Sequence, residues 1–161
     1  MEITNLKDVL ILLMDEAYFQ CEWLVEGQQS SPVLTLTLQF QFDNPHHITF
    51  IDQQGQEVHA DPVPFETNIY FYRPDILVPN RDRCLCAFPV DPQLGIPYGE
   101  LVVIVKYLRI IANSSRSQWW EFILQNQSGT FQLKWNDKEF NQHRELMMDR
   151  HRYSYSRVYM D

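Results

Sequence analysis

Glycine is scarce in this chain, five residues in 161, and none sits in a G-x-S-x-G nucleophile turn or a glycine-rich phosphate loop. Those two scaffolds for covalent and nucleotide chemistry are therefore absent, although catalytic groups can still be assembled from distant segments. Cysteine is scarcer. Cys21, Cys84 and Cys86 are odd in number and lack the spacing of a disulfide framework, which fits a reducing compartment. No apolar run approaches the roughly 18 residues of a membrane span. The N-terminal MEITNLKDVLILLMDEAY has one lysine, interrupts its apolar run with Asp15 and Glu16, and offers no small-residue cleavage site, so it does not read as a signal peptide. The expected location is cytoplasmic, with no membrane partner.

Positive charge is also in short supply. Lys and Arg number 13 against 21 Asp and Glu, a net charge of −8. The deficit is uneven: residues 1–136 carry 8 basic and 16 acidic side chains, and residues 137–161 carry 5 of each. An acidic body repels phosphate backbones, and counterion release needs clustered cations, so no nucleic-acid partner is expected. A hydrophobic share of 45% and an aromatic share of 14% are those of a folded chain. At this length one domain is expected over 1–161.

Leu6, Val9, Leu10, Leu13, Ala17, Cys21 and Leu24 recur at spacings of three and four. This predicts an amphipathic helix over 5–25, capped by Thr4 or Asn5 and ended by Gly27 and Pro32; Phe19–Val25 also carries strand-forming residues. The period then becomes two. In VLTLTLQFQF the even positions Leu34 to Phe42 are apolar and the odd ones mostly polar, a strand with one dry face. Turn residues at Asp43-Asn44-Pro45 and Gly55 and further runs at 68–73, 83–90, 100–112, 117–126 and 130–135 bring the strands to about eight. The last two read as a hairpin about Gln127-Ser128-Gly129. Regularly spaced short strands predict a mainly β protein, an antiparallel β-sandwich over 33–135. The 101–108 run is apolar on both faces, so the 5–25 helix is expected to cover its outer side. A short helix is predicted at 137–150.

IPYGELVVIVKY resembles the penultimate strand of immunoglobulin-like and fibronectin-like sandwiches, and SQWWEFILQNQSGTFQL resembles their final hairpin. The resemblance covers about 40 residues. Leu101 stands where many such domains have a tyrosine two residues after the glycine, and the paired cysteines and central tryptophan of antibody domains are missing. What the resemblance implies is a two-sheet shape and a bias towards binding.

Few residues invite chemistry. Cys84 and Cys86 share one face of their strand with Phe88 and Val90, which reads as core burial. His46, His47, His59 and Asp61 could gather at one end of the sheet as metal ligands, although adjacent histidines on a strand point to opposite faces. Asp52 and Glu57 read as a solvated hairpin edge. Alternation sends Trp119 and Trp120 to opposite faces, with Trp120 in the core beside Phe122 and Leu124. Trp119 then either packs beneath the N-terminal helix or lies exposed as an aromatic anchor. In the tail, Tyr153, Tyr155, Arg157 and Tyr159 alternate with Ser154, Ser156 and Val158. Segment 152–159 is expected to dock as an edge strand, on its own sheet or across a homodimer, rather than to remain a loose end.

Together these features point to a non-catalytic protein-interaction module without a cofactor. Its partner-binding candidates are Trp119, Tyr153, Tyr155, Arg157 and Tyr159. The competing reading is a small metal-dependent enzyme or metal-binding protein built on His46, His47 and His59.

Overall fold

Asn5 opens the first helix, its side-chain carbonyl accepting from the Asp8 backbone N–H at 3.3 Å and satisfying one first-turn donor. The computed structural model describes residues 4–28, 31–78, 81–125 and 129–160. In chain order the elements are α1 (Leu6–Ala17), β1 (Glu22–Glu26), β2 (Val33–Phe42), β3 (Phe50–Ile51), β4 (Glu57–Val58) and β5 (Val63–Tyr72). A 3-10 turn at Arg81–Arg83 follows, then β6 (Cys86–Pro89), β7 (Ile96–Pro97), α2 (Tyr98–Leu124), α3 (Asp137–Asp149) and β8 (Arg157–Val158).

The expected β-sandwich is not what this chain forms. The protein is mixed α/β: a four-stranded sheet in the order β1-β2-β5-β6, with β6 parallel to β5 and the other pairs antiparallel. Two small two-stranded sheets, β3–β4 and β7–β8, sit beside it. β2 and β5 pair over ten residues, from Val33↔Tyr72 to Phe42↔Val63. Their buried positions alternate, Leu34, Leu36, Leu38, Phe40 and Phe42 against Val63, Phe65, Thr67, Ile69 and Phe71. That apolar face joins the buried faces of α1 and α2 in a single core. The opposite face is polar: Thr37 donates to Asn68 at 2.8 Å and Gln39 to Glu66 at 3.1 Å.

The stretches read as strands at 100–112 and 117–126 are one 27-residue helix, α2. The two strands that the immunoglobulin-like resemblance requires are thus both helical. Residues Leu101, Ile104, Leu108, Ile111, Ser115, Trp119 and Ile123 are buried and recur every three or four positions, a helical stripe running the length of α2. The run is apolar on two sides for a different reason than a double-covered strand: α1 and α3 both pack against α2 above the sheet. The hairpin expected after α2 is lost with it. Its Gln127-Ser128 turn lies outside the described residues, and beyond it only an isolated bridge links Thr130 to Ile51.

The N-terminal helix is shorter than 5–25. It stops at Tyr18, whose φ of 54° is left-handed, and the chain returns as β1 beside β2. At the other end Asn136 caps α3 by accepting from the Glu139 N–H at 3.0 Å. The tail then threads between the chain start and α2. Tyr159 O accepts from Leu6 N at 2.7 Å, Tyr159 N donates to Thr4 O at 2.8 Å, and Ser156 O and Ser154 O accept from Tyr98 N and Gly99 N at 2.7 and 2.8 Å. Gly99 permits this approach, since a Cβ there would come within 2.7 Å of the Tyr153 ring and 2.8 Å of Ser154 N.

Candidate functional site

Helix α2 turns its apolar stripe to the sheet and shows a second, narrower stripe to solvent. Lys106, Ile110, Asn113, Ser117, Trp120 and Leu124 recur at four, three, four, three and four residues and are all exposed. Ile110 is 45% exposed, Trp120 37% and Leu124 78%. Three large apolar side chains along one helix face form a stripe whose burial against a partner would remove apolar area from water. Arg109 and Arg116 flank the stripe on one side and Glu121 on the other. None of these charges forms an ion pair among the described residues, where salt bridges join only Arg73 to Asp75 and Arg144 to Glu100.

Hollows border the stripe on both flanks. Between α2 and α3, Lys106, His143, Arg150 and Arg152 surround a small cavity of about 80 Å³ floored by Val103, Leu146 and Met147. It is a basic spot on an acidic chain. On the α1 side, Cys21, Phe40, Phe42, Ala112 and Arg116 line a wider cleft of about 570 Å³ where β2 runs past the start of β1.

Of the two tryptophans, Trp119, expected either beneath the N-terminal helix or exposed as an anchor, is buried against the aromatic core, and Trp120, expected in the core, is the exposed one. Trp119 is 1% exposed; its Nε1 donates to Asp43 O at 2.7 Å, and its ring lies 5.5 Å from Phe42, 5.0 Å from Phe50 and 5.2 Å from Phe131. Trp120, assigned to the core by strand alternation, is the outward one, because successive helix residues turn by about 100° rather than 180°.

The tail candidates are largely occupied with the fold. Tyr153 donates its hydroxyl to Glu100 at 2.8 Å, and the same carboxylate takes the Arg144 Nε–H at 2.9 Å. Burial and the Glu100 carboxylate push the Tyr153 phenol well above its usual range. Tyr159 is half-buried with its backbone bonded on both sides, whereas Tyr155 and Arg157 are exposed.

The histidine loop is organised by a different residue. Asn44 is fully buried, donates to Ile48 O at 3.0 Å and Ala60 O at 3.1 Å, and accepts from Ile48 N. Asp61 spends a carboxylate oxygen on the Asn44 N–H at 2.9 Å, and the His47 ring meets the His59 carbonyl at 3.1 Å. No three His, Cys, Asp or Glu side chains among the described residues come together as a metal site. Asp52 Oδ1 accepts from Gln54 N and Gln56 N and so shapes the β3–β4 turn. Cys84 and Cys86 are both half-buried, and burial pushes both thiols up, Cys86 the further. Among the described residues no helix is long and apolar enough to cross a membrane.

The chain belongs to the family described as Protein of unknown function (DUF3013), whose model matches residues 1–157. No curated protein matches it. Among solved structures, the crystal structure of a conserved protein of unknown function from Enterococcus faecalis is similar, with a TM-score of 0.77, 15% identity, and coverage of 93% of this chain and 92% of that one. At that identity the likeness establishes a shared fold.

Proposed function

We propose that this DUF3013 protein is a non-catalytic protein-interaction module whose contact surface is the outward stripe of α2. The observation that carries the reading is the exposure of Ile110, Trp120 and Leu124 in helical register, flanked by charges without ion-pair partners of their own. Tryptophan and arginine beside aliphatic groups are the side chains that dominate interface energetics, and a rigid 27-residue helix presents them with little entropy left to lose. Tyr155 and Arg157 remain exposed beside the start of α2, where the tail bonds Tyr98 and Gly99, and can supplement the contact from that end.

The test is site-specific photo-crosslinking in the source cell, with benzoylphenylalanine at position 120 of the full chain and, as a control, at Gln41 on the polar sheet face. The expected result is one discrete adduct at position 120 that weakens when Ile110→Glu is added. Equal, diffuse labelling at both positions sinks the reading.

A further inference from the structure

The outward stripe of α2 is self-complementary when reversed. Opposing it to an antiparallel copy of itself, with a two-fold axis at the level of Ser115, sets Lys106 across from Leu124, Ile110 from Trp120 and Asn113 from Ser117, each twice. Every layer matches in kind: a lysine stem on an aliphatic group, an aliphatic on an indole, an amide on a hydroxyl. We propose that two copies of this chain associate through antiparallel α2 helices in this register. The proposal rests on the interaction-module reading and names its partner.

Charge selects the second copy over an unrelated helix. Glu121 lies 18 residues, or about five turns, from Val103, so it projects on the flank of α2 that faces α3. In the two-fold arrangement that flank meets the same flank of the second copy, where Lys106, Arg150 and Arg152 stand around the basic cavity. Those three cations and Glu121 all lack an ion-pair partner within their own chain among the described residues. At each end of the interface one copy's Glu121 therefore falls on the other copy's basic cluster, on a protein whose net charge of −8 otherwise repels its own copies. On the opposite flank Arg109 comes within one residue, about 1.5 Å along the axis, of the level of the second copy's Trp120, within reach of a cation–π contact. Asn113 and Ser117 at the centre are polar, and such a pair in an otherwise apolar seam fixes register and orientation at some expense in affinity. The stripe from 106 to 124 is about 27 Å long. A helix pair of that size lies at the low end of specific interfaces, so the dissociation constant is expected to be on the order of micromolar.

The experiment is sedimentation equilibrium on the full chain across roughly 1–200 µM, bracketing that constant. The wild type is expected to dimerise. Glu121→Arg in one preparation and Lys106→Glu with Arg150→Glu in another should each raise the dissociation constant about tenfold or more, and an equimolar mixture of the two should regain wild-type dimerisation, because each reversed charge then meets its opposite. All three side chains are exposed, so unchanged melting curves keep folding apart from assembly. A wild type that stays monomeric throughout overturns the proposal, and so does a dimer indifferent to both variants or not restored by mixing. Should the wild type be monomeric while position 120 crosslinks a different protein, the second copy is eliminated and the interaction-module reading stands.

Discussion

Trp119 and Trp120 are chemically identical neighbours with opposite duties, and the difference is measurable. Truncating the buried one removes an indole wedged among Phe42, Phe50 and Phe131 and leaves Asp43 O without its donor. Trp119→Ala is expected to cost about 3–5 kcal/mol by chemical denaturation, and Trp120→Ala less than about 1 kcal/mol. Cys21 offers a second test, through pH. Burial pushes its thiol up to about 11 from 9.0. The thiolate is the nucleophile, so alkylation of Cys21 should keep climbing tenfold per pH unit to about 11, where a free thiol levels off near 9. The same shift lowers stability with rising pH: an unfolded chain ionises this thiol above 9.0 and the native one resists until about 11. Its stabilising contribution is thus intact below pH 9 and lost towards 11. Rapid labelling at pH 8 would contradict the burial. At this scale the sequence marked Trp119 and Trp120 as the residues to watch but sent Trp120 to the core and left Trp119 open, since the face depends wholly on whether the chain turns about 100° or 180° per residue. Asn44 passed as a turn former, because a turn asparagine and a buried, fully bonded one are spelled the same way.

Helix α2 shows how an element can be hidden by its own composition. Leu101 to Leu108 includes Val102, Val103, Ile104 and Val105, β-branched residues that favour strands, and with so few polar residues in the run any period fits. The helical period was nonetheless legible further on, in the spacing of Leu108, Ile111, Ser115, Trp119 and Ile123, and in the absence of proline and glycine from Glu100 to Leu124. β2 was easier to read because its polar residues mark one face without ambiguity. The start of α2 is also where the tail is held. Gly99→Ala would force Tyr153 and Ser154 away from the first turn. It is expected to speed amide exchange over 152–159 and to lower the melting temperature by a few degrees, by about the amount 1 kcal/mol gives for a domain of this size. Unchanged exchange there would mean the tail is held elsewhere. Leu13→Asp tests the other helix contact. Leu13 lies in the core on α1, and an unpaired charge there should cost several kcal/mol in a thermal melt.

Viewed whole, the molecule has two unlike faces. The strands β1, β2, β5 and β6 contain no lysine or arginine, and their outer side presents glutamate, threonine and glutamine. The helical layer carries charges of both signs, and the exposed cations Lys106, Arg109, Arg116, Arg150 and Arg152 lie on or beside the α2 stripe. The net charge of −8 conceals this division, because composition sums over faces that only the fold separates. That is also why the candidate site was not legible beforehand: its cations come from α2 and from the end of α3, some forty residues apart in sequence. The most direct test is the set of indole N–H resonances of Trp23, Trp119, Trp120 and Trp135, followed by NMR as the full chain is diluted through the micromolar range. The expected result is that the Trp120 signal shifts progressively with dilution and the Trp119 signal, bonded to Asp43 O, stays fixed. A Trp120 signal that does not move, at concentrations where sedimentation shows the mass changing, would contradict α2 as the surface through which this protein meets its partner.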